Sequence, residues 1–343
     1  STPIKSSAAS DVYKRQEEVI AQNKKKAMPI LSFPGARIIG ATVEELVKDG
    51  HLQAKCMESI AKKYDMGMAL SLMDLSVEAE AFGSPVHYSE DEVPTVLDAI
   101  VHDEDEAENL KIPKVGEGRT GECVKGIKEA CELITDRPVF AGIIGPYSLT
   151  GRLLDMTEIM ILCYEEPEMV KTVLEKVTTF LCEYAKAFKE AGANGVAMAE
   201  PAAGLLSPNL MEEFSTPYVN KIREAVEDEH FMVMYHNCGN VVPLMEQVKN
   251  VDAQSYSFGN AIDIEKALEV IPSDRIVIGN IDPAGVLRNG TPEIIREETL
   301  KLMKRCTQYP NFVIASGCDI PPLTPFENID AFFAAVEEFY SCE

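Results

Sequence analysis

Two short segments carry side chains that bind soft metals. His236 and Cys238 sit two apart in Tyr235-His236-Asn237-Cys238-Gly239-Asn240, and Cys318 lies in Ser316-Gly317-Cys318-Asp319-Ile320-Pro321-Pro322. On an extended strand end, residues two apart point to one side. An imidazole nitrogen with two thiolates is a donor set suited to zinc, and three protein ligands with a fourth position open is the arrangement of a catalytic zinc site. Five histidines and nine cysteines in 343 residues give about 0.13 His-x-Cys pairs by chance. The pair alone therefore leaves a buried structural histidine and cysteine as an open alternative. What favours the metal is Cys318, which ends another apolar run among Gly, Asp and Pro.

Those segments must be brought together by the elements around them. Short apolar runs recur at 28–33, 68–73, 138–144, 195–199, 231–235, 253–258, 276–281 and 312–315. Between them lie helical patterns, such as 167–191, where Val170, Leu174, Val177, Leu181 and Tyr184 recur at helical spacing. Further helices are expected over 208–227, 241–248, 264–270, 291–306 and 325–340. Ser207-Pro208, Thr291-Pro292 and Thr324-Pro325 read as N-caps with proline at the first helical position. Eight strands alternating with helices predict a single (β/α)8 TIM barrel, in the α/β class, over 17–343. A doubly wound sheet is the rival, but no Gly-rich phosphate loop follows an early strand. In such a barrel, polar residues just after each strand belong to the active face. That rule singles out Asp74 and Glu80 after the second run, Glu200 after the fourth, and Asn280 and Asp282 at the seventh. Asp319 adjoins a proposed ligand. Glu80 and Glu200 are the candidates for an extra zinc ligand or a proton acceptor, with Asp74 a further catalytic candidate. Tyr147, Asn280 and Asp282 are candidates for contacting the cofactor; loop capping and core packing are the alternatives.

Composition narrows the classes. With 32 Lys+Arg against 56 Asp+Glu, the net charge is −24, which disfavours a nucleic-acid partner. No uncharged apolar stretch reaches the ~18 residues of a membrane span. The cysteines, odd in number and scattered, do not form a disulfide framework, and a reduced, cytoplasmic protein is expected. Residues 1–16, which include SSAASDVYKRQ, are polar and resemble a translated adapter string; they are read as a non-native or disordered tail.

The motifs HNCGN, GNIDP and SGCDIPPLTPFENIDAF, with MDLSVEAEAFG, GIIGPYSLTGRLL and GANGVAMAEPAAGLLSPNLMEEFSTPY, resemble the uroporphyrinogen decarboxylase superfamily. Within it they are most similar to the methylcobamide:coenzyme M methyltransferase branch. The resemblance runs from about Met28 to Tyr340. It implies a (β/α)8 barrel and zinc held by His236, Cys238 and Cys318. It also implies transfer of a methyl group from a methylated corrinoid to a thiol of the coenzyme M kind or to tetrahydrofolate. The alternatives are a true uroporphyrinogen decarboxylase or a non-catalytic barrel. Asp74 matches the decarboxylases' key aspartate, but their double-arginine run is reduced here to Arg37. Ala315-Ser316-Gly317-Cys318 stands where they carry a histidine segment. Corrinoid proteins of this kind carry a D-x-H-x-x-G segment; only Asp228-Glu229-His230 approaches it, without the glycine. The corrinoid is therefore expected on a separate partner protein. Arg37, Arg152 and Arg288 are the candidate cations for an anionic acceptor, and dimerisation is expected by analogy with the decarboxylases.

Overall fold

A computed structural model describes residues 12–341. Its main sheet is parallel, with β1 (Ala69–Leu70), β4 (Val139–Ile144), β5 (Gly195–Ala199), β6 (Met232–Asn237), β7 (Ser255–Phe258), β8 (Ile276–Ile281) and β9 (Phe312–Ser316) in sequential order. Between β1 and β4, a small antiparallel pair forms from β2 (Val86–His87) and β3 (Thr95–Val96). The first apolar run supplies the eighth position of the ring without laddering as a regular strand. Met28 N donates to Ile314 O at 3.0 Å beside β9, and Gly67 N donates to Ala27 O at 2.9 Å just before β1. The sheet so closes into the expected barrel.

Both faces of the barrel strands are covered, which is why they read as continuous apolar runs. Alternation decides which way each residue faces. Ala197 and Ala199 of β5, Met232 and Met234 of β6, Ile276 and Ile278 of β8, and Val313 and Ala315 of β9 share one buried interior cluster. Their neighbours Val196, Met198, Val233, Tyr235, Val277 and Ile314 join the larger core beneath the helices. Met28, Met68, Met73, Met232 and Met234 line the barrel's inside, where a flexible thioether fills irregular gaps.

The helices mostly follow the sequence pattern. Pro167–Glu190 and Ile264–Val270 form as expected. Ser207 and Thr291 cap their helices by accepting from Leu210 N and Ile294 N, each at 3.4 Å. The helix expected over 208–227 is instead two, Pro208–Phe214 and Thr216–Val226, separated at Ser215. Pro217 has no N–H to continue the ladder and disfavours helical geometry in the residue before it. The 241–248 segment likewise splits, a short 3₁₀ turn at Val242–Leu244 preceding Met245–Lys249. Thr324 does not act as a cap: its buried hydroxyl has no partner among the described residues, and the last helix is Phe326–Ser341. Of the 1–16 stretch, residues 1–11 lie outside the described residues, while a helix spans Val12–Ala21. Gln16 is buried, its amide donating to Gln254 O at 2.9 Å and Asp274 O at 2.6 Å. Among the described residues no helix is long and apolar enough to cross a membrane.

Candidate metal centre

The inward register of β6 continues past Met232 and Met234 to His236, which places an imidazole at the C-terminal mouth of the barrel. Cys238 follows two residues later, and Cys318 arrives on the loop after β9. One ligand atom from each of His236, Cys238 and Cys318 lies within 4.8 Å of the others. Two glycines allow this approach. A Cβ on Gly259 would fall 2.5 Å from Cys238 Cα, and one on Gly317 would fall 2.6 Å from Asn260 N. The loops after β6, β7 and β9 thus touch backbone to backbone.

His236 Nδ1 lies 3.0 Å from Ser257 Oγ of β7, while Nε2 is sealed from solvent with no partner among the described residues. Leaving such a nitrogen unsatisfied costs about 1–3 kcal/mol. A metal at Nε2 removes that cost, and an outer hydrogen bond at Nδ1 fixes the tautomer that leaves the Nε2 lone pair free. The nearby Cys318 thiol, and next the proximity of His236, lower the Cys238 thiol against its burial. Cys318 is pushed up by the neighbouring Cys238 and by burial. The donor set and the orphaned nitrogen both fit zinc.

The acids singled out in the sequence occupy other positions. Asp74 is clamped by Arg119 Nη1 and accepts from Ser76 N at 3.0 Å and Ser76 Oγ at 2.6 Å. Arg119 Nε also reaches Glu80 Oε2 at 2.7 Å, and the Tyr88 hydroxyl donates to the other Glu80 oxygen. Glu200 follows the outward-facing register of Val196 and Met198. Fully buried, its carboxyl accepts from Tyr147 N at 3.0 Å and Ser148 N at 2.6 Å, at the start of the Pro146–Leu154 helix. Burial pushes it up to about 7 despite these donors. Tyr147 is buried in the core, its hydroxyl 3.8 Å from Cys163 Sγ. Asn280 faces the mouth but spends its amide on Gly259 O and Ile262 O, both at 2.9 Å, bracing the loop after β7. Asp282 caps the turn that follows, accepting from Ala284 N and Gly285 N. Asp319 is half-buried, with one carboxylate oxygen sealed from solvent and unpartnered among the described residues.

Sequence reasoning missed Ser257, Arg119 and Glu78. Ser257 was findable, since its strand pairs in register with His236. Arg119 was not: it lies in an irregular stretch between two glycines, remote in sequence from the acids it clamps. Glu78 is fully buried, with Oε1 accepting from Ile144 N at 3.0 Å, and burial pushes it up to about 7.

The uroporphyrinogen decarboxylase (URO-D) family model matches residues 18–339. The chain belongs to this family. Its relatives include a methylcobamide:CoM methyltransferase of Methanosarcina acetivorans, 27% identical over 87% of this chain and 91% of that protein. A uroporphyrinogen decarboxylase of Coxiella burnetii is 26% identical over 81% of this chain and 79% of its own. Among solved structures, a methyltransferase from Methanosarcina mazei superposes with a TM-score of 0.84, covering 95% of this chain and 98% of that one at 24% identity. That likeness carries the barrel fold, and the URO-D family thus contains both chemistries weighed above.

Proposed function

We propose that this URO-D family chain is a zinc-dependent methyltransferase that moves a methyl group from a methylated corrinoid, carried on a separate protein, to a thiol. The observation that carries the reading is the His236–Cys238–Cys318 cluster at the barrel mouth, with its buried, partnerless Nε2. The names of the methylcobamide:CoM methyltransferase relatives support the reaction class. Zinc held by these residues supplies a position at which an acceptor sulfur is bound and favoured as thiolate at neutral pH. The acceptor thiolate forms its S–C bond to the methyl group as the Co–C bond breaks, and cobalt leaves as cobalt(I).

The chain's own contribution is positioning. Ser257 fixes the imidazole plane, Gly259 and Gly317 let the ligand loops meet, and Asn237 locks the loop carrying Cys238. Asn237 does so by donating to Glu200 O at 2.7 Å and accepting from Gly239 N at 2.9 Å. Tetrapyrrole decarboxylation fits less well, because Asp74 is held by Arg119 and Ser76 rather than presented free.

The test is zinc content per chain, measured on reduced, untagged protein, followed by demethylation of methylcobalamin with coenzyme M, homocysteine and tetrahydrofolate. We expect about one zinc per chain, transfer to a thiol, and loss of both in Cys318→Ala with the fold retained by circular dichroism. A Cys318→Ala protein that keeps full transfer activity overturns the reading.

A further inference from the structure

The metal cluster occupies one end of the barrel, and a cavity occupies the other. This cavity, of about 410 Å³, is lined by Met68 and Pro138, which precede β1 and β4, and by Met232, Ser255 and Ile276, which begin or nearly begin β6, β7 and β8. His236 and Cys238 stand near and just beyond the opposite end of β6. The interior of a parallel barrel is ordinarily filled by layers of side chains. The volume left here lies within the ~300–1,000 Å³ of small-molecule sites. The Val12–Ala21 helix contributes Gln16, Glu18 and Val19 to its lining.

The inner walls are thioethers and one ring. Met28, Met66, Met68, Met232 and Met234 border the same space as Phe140, and all six are buried. A thioether is polarisable, adapts to an irregular guest and makes favourable contacts with an aromatic ring. Phe140 adds a partner for offset or edge-on stacking.

Two polar groups interrupt this apolar lining. Ser255 and Gln16, the latter ending the stretch read as a tail, are 2% and 4% exposed. The Gln16 amide nitrogen donates to Gln254 O and Asp274 O, but Gln16 Oε1 and Ser255 Oγ have no partner among the described residues. Gln254 O belongs to the peptide unit that leads into Ser255, so the two orphaned atoms share one part of the wall. An amide oxygen only accepts, whereas a serine hydroxyl donates or accepts. A single guest hydroxyl satisfies both, donating to Gln16 Oε1 and accepting from Ser255 Oγ.

The charges at the cavity's edge are already balanced. Lys26 pairs with Asp65 at 2.6 Å and Arg137 with Asp136 at 2.7 Å. Glu18 is exposed and solvated. An anion meets no free cation there, and a cation would leave water for apolar walls.

We infer that the barrel floor is a second ligand site, distinct from the metal centre, for a small neutral phenol. The ring lies among the thioethers and Phe140, and the hydroxyl reaches Gln16 and Ser255. The inference is independent of the methyl-transfer reading, and its test needs neither zinc nor turnover.

The test is a titration of the full chain carrying 13C at its methionine methyl groups, assigned by single Met→Leu substitutions. The probes are 4-methylphenol, toluene, 4-methylcyclohexanol and 4-methylbenzoate. We expect 4-methylphenol to cause saturable ring-current shifts at Met28, Met66, Met68, Met232 and Met234, with Met211 and Met303, under the helices, unmoved. Toluene, lacking the hydroxyl, should bind about 3- to 10-fold more weakly, 4-methylcyclohexanol more weakly than the phenol, and 4-methylbenzoate not at all. Ser255→Ala should bring the phenol down to the affinity of toluene, and Gln16→Leu should act in the same direction. Absence of saturable shifts at the five floor methionines means the floor holds solvent only and overturns the inference. Equal affinity for toluene and the phenol in wild type, or an undiminished preference for the phenol in both variants, overturns it as well.

Discussion

His236 has two nitrogens with different tasks, and the contact on one determines what the other can do. Ser257 holds Nδ1, so Nε2 is presented to the cluster. Outer hydrogen bonds of this kind typically contribute 10- to 100-fold to metal affinity. Ser257→Ala is therefore expected to weaken zinc binding by about that factor, read as chelator competition, while leaving the melting temperature of the zinc-free protein nearly unchanged. Equal zinc affinity in Ser257→Ala and wild type would mean that the imidazole is held by packing alone. At this scale the candidate ligands were legible because His-x-Cys on a strand end is a local pattern. The fate of the acids was less so. Glu200 stands one residue beyond the inward-facing Ala199, so its register points it at the helix layer, a distinction available from strand parity but overlooked when strand ends were treated alike. Arg119 left no local signal, because its partners lie in a different part of the chain.

Strand positions were readable from continuous apolar runs, and Gly195–Ala199 and Ile276–Ile281 form over the residues expected. The connections were less readable. Ser215 interrupts what the periodicity presents as one helix, since apolar spacing on both sides continues across a break that only Pro217 announces. The hairpin of β2 and β3 has strands too short for any periodic signal. Among the loops, the contact between Gly259 and Cys238 is the tightest constraint near the metal cluster. Adding a methyl group there forces backbone apart rather than a flexible side chain, an overpacking cost of about 1–3 kcal/mol. Gly259→Ala should lose zinc retention on dialysis against a weak chelator. Undiminished zinc retention in Gly259→Ala would show that the loops have slack to separate.

Across the whole molecule, two fully buried carboxyls make stability depend on pH in an unusual direction. Glu78 and Glu200 both lie near 7 in the fold, against an ordinary carboxyl value of 4.5, because burial disfavours their charged forms. The folded state therefore holds protons that the unfolded chain has released. Their contribution is fully present below 4.5 and is lost as pH rises toward 7. Urea unfolding of the zinc-free, reduced protein should show wild type losing stability between about pH 5 and pH 7 more steeply than Glu200→Gln. Parallel pH profiles for the two proteins would show that Glu200 is charged throughout, held so by the Tyr147 and Ser148 amides.

The ring closes only where the chain near Met28 lies beside β9, with Ile30 N also reaching Ser316 Oγ at 3.0 Å. An early segment of the polypeptide thus waits for one made near its end. While the ribosome is still producing the stretch before Phe312, His236 and Cys238 have emerged but Cys318 has not, and an incomplete pair of ligands is exposed to whatever metal is present. The last strand delivers both the seam of the barrel and, just after it, the third member of the proposed metal site, so the nascent protein cannot assemble that cluster much before it completes its fold.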